Sequence, residues 1–137
     1  MSLRKEQKLA TRSVLRQQEV ALELQSLLGA IEKAERTITE LKTELEAVNR
    51  THLVRSTTQQ DIDFLSALLN CAHKKLGWEK QVASLRKRAP LLMQQLAVVM
   101  DDVKNPPDES MCSTLLRAMQ LVKEAMDRLE KGLASFS

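Results

Sequence analysis

Tyrosine is missing from this chain, tryptophan occurs once and phenylalanine twice, so aromatics are 2% of its 137 residues. Aromatic rings supply much of the buried area in compact cores. Their scarcity argues against a rounded core and for a thin aliphatic seam. Glycine and proline occur three times each. Strands joined by hairpins need turn residues at short intervals, and long spans here offer none. The two cysteines, Cys71 and Cys112, make no disulfide framework; they are expected as reduced thiols on buried helix faces. No apolar run nears the roughly 20 residues that cross a bilayer, and no secretory leader opens the chain. A soluble, cytoplasmic protein is expected, with cytoskeletal or nuclear association open. The abrupt ends are those expected of a piece of a longer protein.

The signatures of chemistry are missing too. Nucleophilic catalysis needs a Ser or Cys beside a positioned base in a walled pocket. There is no nucleophile elbow, no phosphate-cradling glycine loop, and too few aromatics to wall a pocket. His52 and His73 are the two histidines. Cys71 and His73 stand two apart on a predicted helix and project about 200° apart, so they cannot share a metal. No catalytic residue, cofactor site, metal site or small-molecule substrate is therefore assigned. Asn49-Arg50-Thr51 matches a glycosylation sequon, which counts only in a secreted chain.

What the chain does have is a periodic aliphatic stripe. Leu24, Leu27, Ile31, Ala34, Ile38, Leu41, Leu45 and Val48 follow one another in steps of three and four. That spacing is the seam of a helix that lies along another helix. Gly29 sits between seam positions at a cost of about 1 kcal/mol relative to Ala. The fold class read from this pattern is all-α: an elongated, coiled-coil-like helical hairpin plus a C-terminal helix.

Residues 1–22 read as a basic N-terminal helical arm with a ragged seam, helical in part or ordered by a partner. Residues 23–104 read as the hairpin, with its bend near 49–58, where weak helix formers cluster and the seam breaks phase. A second seam then reads Ile62, Leu65, Leu69, Ala72 and Leu76, followed by a one-residue slip at Gly77. A third reads Trp78, Val82, Leu85, Ala89, Leu92, Leu96, Val99 and Val103. Pro90 lies inside this run and predicts a kink, yet the seam keeps phase across it. Residues 105–108 are a linker, in which Pro106 and Pro107 stop one helix and Asp108 can cap the next. Residues 109–137 carry Leu115, Met119, Val122, Met126, Leu129, Leu133 and Phe136 on one face of the C-terminal amphipathic helix.

The net charge of +3 is unevenly spread. Residues 1–22 have a balance of +3 and residues 74–88 a balance of +5, so the rest of the chain is net −5. In the second zone Lys74, Lys75, Lys80, Arg86, Lys87 and Arg88 form a solvated face or a contact for something acidic, such as a partner helix or an acidic polymer surface.

The functional expectation is a non-enzymatic structural subunit of a multiprotein assembly, in the style of cytoskeletal or spindle scaffolds. It would bind other coiled-coil proteins or itself through Leu24, Leu27, Ile31, Ile38, Leu41, Leu45, Val48, Trp78, Leu115, Val122, Met126 and Leu129. A basic helical module contacting nucleic acid or a microtubule surface is the alternative. A membrane-trafficking tether or fusion-type helix bundle is a third reading.

Overall fold

The computed structural model describes residues 2–54 and 58–136, with side chains described over 11–50 and 58–136. Within these residues there are three helices and no strand: α1 (Ser2–Val54), α2 (Thr58–Met100) and α3 (Glu109–Phe136). The first has 53 residues, a rod of about 80 Å at 1.5 Å per residue. The N-terminal arm is the first part of this same helix, and packing begins well inside it, since Gln17, Val20 and Ala21 are already buried.

Contacts between helices give the topology. Ser13 pairs with Asp102, Ser26 with Arg88 and Glu44 with Lys74, so α2 runs antiparallel to α1. Gln17 pairs with Asn105, Glu35 with Arg128 and Lys42 with Gly132, so α3 runs parallel to α1. The result is a long hairpin with its C-terminal helix laid along α1 and beside α2. Of the bend expected near 49–58, the residues through Val54 are helical in α1 and Thr58 opens α2; residues 55–57 lie outside the described residues, as does the side chain of His52.

The seam of α1 is the centre of the core. Leu24, Leu27, Ile31, Ala34, Ile38 and Leu41 are buried, against Cys71, Trp78, Val82, Leu85, Ala89, Leu92, Leu96 and Val99 of α2 and Leu115, Val122, Ala125 and Leu129 of α3, which complete one cluster. Each fully buried Leu, Ile or Val contributes roughly 1.5–3 kcal/mol, which stabilises helices that would be marginal alone. Trp78 is the anchor. It is 2% exposed, its indole N–H donates to the Ala34 carbonyl oxygen at 2.9 Å, and its ring meets that of Phe136 edge-on at 6.3 Å.

Three local features depart from the sequence reading or refine it. The first concerns the start of α2. The expected seam Ile62, Leu65, Leu69, Ala72 and Leu76 is exposed, and Phe64, Ala67, Leu68, Cys71 and Lys75 face inward in its place. Phe64, Cys71, Trp78, Leu85, Leu92 and Val99 stand seven apart, so one phase runs the length of the helix with no slip at Gly77. An unbroken helix cannot rotate its face without a bulge or kink, and the stronger run from Trp78 sets the phase for the weaker one. Lys75 is tolerated at an inward position because its ammonium lies 4.7 Å from the Phe136 ring centroid.

The second is the end of α2. It stops at Met100, and Val103, expected in the seam, is 93% exposed. The Asp102 carboxylate accepts from the backbone N–H groups of Lys104 and Asn105, both at 3.1 Å, and turns the chain out of the helix first. Gln17, buried, donates to the Asn105 carbonyl oxygen at 3.2 Å and ties the loop to α1. The third is Pro90, which α2 passes through without a break; Leu85, Ala89, Leu92 and Leu96 stay buried on either side. The cap of α3 is as expected: Asp108 accepts from the Met111 N–H at 2.7 Å.

Trp78→Ala should cost about 3–5 kcal/mol in urea unfolding. Trp78→Phe, which keeps most of the packing but leaves the extra bond to Ala34 unmade, should cost about 1 kcal/mol beyond lost area. Equal losses for the two variants would contradict the role given to the indole N–H. Gly77 is mid-helix and a Cβ there would meet nothing within 4 Å, so Gly77→Ala should raise stability by about 1 kcal/mol.

Candidate helix-docking surface

The residues expected to bind partners are for the most part used up inside the chain. Leu24, Leu27, Ile31, Ile38, Leu41, Trp78, Leu115, Val122 and Leu129 are buried, and Leu45, Val48 and Met126 are half-buried. They pair helices of one chain, and in the closed bundle they leave little face for a second protein.

The basic zone is largely spent as well. Lys74 donates to both carboxylate oxygens of Glu44 at 3.0 and 3.1 Å. Arg86 holds Glu130 with two bonds of 2.6 Å, and Arg88 reaches the Ser26 hydroxyl at 3.4 Å. Lys75 lies over Phe136 and 3.9 Å from Glu79. Lys80 and Lys87 are exposed and form no ion pair among the described residues. A second two-bond pair, Arg128 with Glu35 at 3.1 and 3.3 Å, ties α3 to α1. The hydrogen bonds from Arg86 hold the Glu130 carboxyl below its ordinary value, and the same bonds raise Arg86.

The end of α3 marks where three helices become two. Lys42 donates to the Gly132 carbonyl oxygen at 3.3 Å and to the Ser135 hydroxyl, placing a cation at the negative end of α3. Phe136 then lies between Lys42, Lys75 and Trp78. Among the described residues, α1 and α2 extend past this level. An open, mostly apolar groove of about 360 Å³ runs between them, lined by Glu44, Ala47, Val48, Gln60, Asp63, Phe64 and Ala67.

On the outside of this two-helix tip lies the stripe that sequence reading took for a seam. Ile62 is 52% exposed, Leu65 58%, Leu69 71% and Leu76 51%, with Ala72 exposed among them. Its place on α2 is informative. Leu65 and Ala72 precede Arg86 and Met93 by whole heptads, and Ile62, Leu69 and Leu76 precede Pro90 likewise. Arg86, Pro90 and Met93 line the groove that α2 makes with Val122 and Met126 of α3. The stripe is therefore the same side of α2 that α3 flanks lower down, continued past the point where α3 stops.

A second uncovered apolar face lies at the other end. Leu22 is 65% exposed, Leu91 59% and Val98 73%, with Leu15 also exposed. The ladder from Ser13–Asp102 to Ser26–Arg88 brings Leu15 and Leu22 of α1 level with Val98 and Leu91 of α2. Nothing in the spacing of single residues distinguishes these from ordinary surface positions; the antiparallel ladder is what puts them at one level.

Among the described residues, no group of three or more His, Cys, Asp or Glu is placed to hold a metal, and Cys71 and Cys112 are free. No described helix is long and apolar enough to cross a membrane. Comparison with protein-family models, with curated proteins and with solved structures yields no match to any of them.

The Glu130 carboxyl, lowered in the folded chain from its ordinary 4.5, contributes stability that is complete above that value and is lost as pH falls through the depressed one. Both side chains are partly exposed, so the pair is worth at most about 1 kcal/mol. Glu130→Gln should lower stability by that amount at pH 7 and show a shallower decline between pH 5 and 3 in urea titrations. Parallel pH curves for the two proteins would deny the pair its role.

Proposed function

We propose that this protein is a non-enzymatic structural subunit of a multiprotein assembly: a self-supporting helical rod that takes up a helix of another molecule on the uncovered stripe of its two-helix tip. The observation that carries the reading is the exposure of Ile62, Leu65, Leu69 and Leu76, each at least half uncovered, at the three-four spacing of a helix seam. Single exposed apolar residues need no explanation, but a contiguous row of them marks an interaction surface. An apolar row with this spacing is complementary to the apolar face of another helix. The internal seams build the rod, and the stripe docks the partner. Cytoskeletal or spindle-type assemblies, whose coiled-coil subunits join end to end and side by side, suit a rod of about 80 Å with apolar faces at both ends.

The alternative, a basic module for nucleic acid or a microtubule surface, has less support. Affinity for a polyanion rises with the number of cations free to neutralise it, and Lys74, Arg86 and Arg88 already serve partners within the chain while Lys75 covers Phe136. A membrane-tethering role has no observation of its own beyond the helical bundle.

The test is a photo-reactive amino acid at position 69, compared with the same group at Gln94 on an exposed face of α2. Position 69 is expected to give protein adducts in cells that persist when cells are lysed in high salt, and to lose them when Leu65→Asp is added. Equal adduct patterns from positions 69 and 94 would overturn the reading.

A further inference from the structure

We infer that the methionines between α2 and α3 form a redox switch: a hydroperoxide converts them to sulfoxides and loosens α3 from the bundle. Helix α1 contains no methionine. Four of the five methionines that follow Met1 stand where α2 and α3 face each other, and the fifth, Met111, is on the first turn of α3. Met93 and Met126 line an open groove of about 300 Å³ with Ala89, Pro90 and Val122. The two-bond pair of Arg86 with Glu130 sets these antiparallel helices in register. One heptad farther along each helix, away from that pair, stand Met100 and Met119. All four are half-buried and packed against the core.

This junction is the thinnest in the molecule. Helices α2 and α3 each pack closely on α1 and touch each other far less, so flexible thioether side chains fill the space between them. Half-burial is what a switch requires. A fully buried sulfur meets no oxidant, and a fully exposed one disturbs no packing when it is oxidised. Hydrogen peroxide entering the groove transfers one oxygen atom to a thioether sulfur. The O–O bond breaks, an S–O bond forms, the sulfur gives up two electrons, and the other oxygen leaves as water with both hydrogens. The product is a polar side chain in a contact walled by Ala89 and Val122, where its oxygen is costly to bury. The junction opens and α3 loosens. A methionine sulfoxide reductase reverses the change, releasing the oxygen as water while two thiols become a disulfide. The switch does not depend on the docking role of the tip stripe.

Hydrogen exchange read by mass spectrometry on the whole chain, before and after treatment with hydrogen peroxide, tests this. Oxygen additions are expected on Met93, Met100, Met119 and Met126. Amide exchange in α3 should then be faster by about tenfold or more, with the α1–α2 hairpin changed less, and reductase treatment should restore the original rates. A chain carrying Met93→Leu, Met100→Leu, Met119→Leu and Met126→Leu keeps the packing volume and both cysteines, and it should not respond to peroxide. Met126→Gln should loosen α3 with no oxidant present. Circular dichroism and Trp78 fluorescence establish that each variant is folded; if the four-site variant is not, the pair Met93→Leu, Met126→Leu takes its place and should blunt the response. Sulfoxides on the four residues with α3 exchange unchanged, methionines that resist peroxide in the folded chain, or a leucine variant that loosens as wild type does would overturn the switch.

Discussion

The stripe on α1 is wider than one neighbouring helix can cover, and most of the structure follows from that. Two helices have to lie against it, one running each way, and they can do so only if α2 turns back at the tip and α3 turns again at the other end. The hairpin bend, the proline-bounded linker and the tie between Gln17 and Asn105 serve that arrangement. The charged pairs add register more than energy. Glu44 with Lys74, Glu35 with Arg128 and Arg86 with Glu130 sit at the margins of the apolar contacts, one for each pair of helices, where exposed ion pairs are worth little individually but disfavour sliding.

At the last described turn of α3, Phe136 meets Trp78 and two lysine side chains, and the described parts of α1 and α2 extend past that level. On the outer face of that part of α2, Ile62, Leu65, Leu69 and Leu76 are open.

Much of this was legible in the residues, for reasons that can be stated. The seam of α1 and that of α3 are dense in Leu, Ile, Val and Met at regular steps, so only one face can be buried and the pattern identifies it. The cap at Asp108 depends on local chemistry alone. The phase of early α2 was not legible in the same way. There two aliphatic faces compete, and Ile62, Leu65, Leu69 and Leu76 look the better seam when counted locally. The choice is made at a distance by Trp78 and the run behind it, transmitted through a rigid helix. The pairing of the basic zone was equally out of reach, since Glu44 and Glu130 lie 30 and 44 positions from Lys74 and Arg86. Where α2 stops was misread because the Asp102 turn outcompetes one further seam residue, Val103.

The claim beneath all of this is that the α1 seam is filled by the chain's own α2 and α3. Electron–electron spin distance measurements between labels at positions 26 and 88 test it most directly, since these residues touch across α1 and α2. A short-distance band that survives dilution of the doubly labelled chain into a large excess of unlabelled chain is the expected result. A band that vanishes on dilution would mean that the seam is closed by other molecules, and would contradict the account.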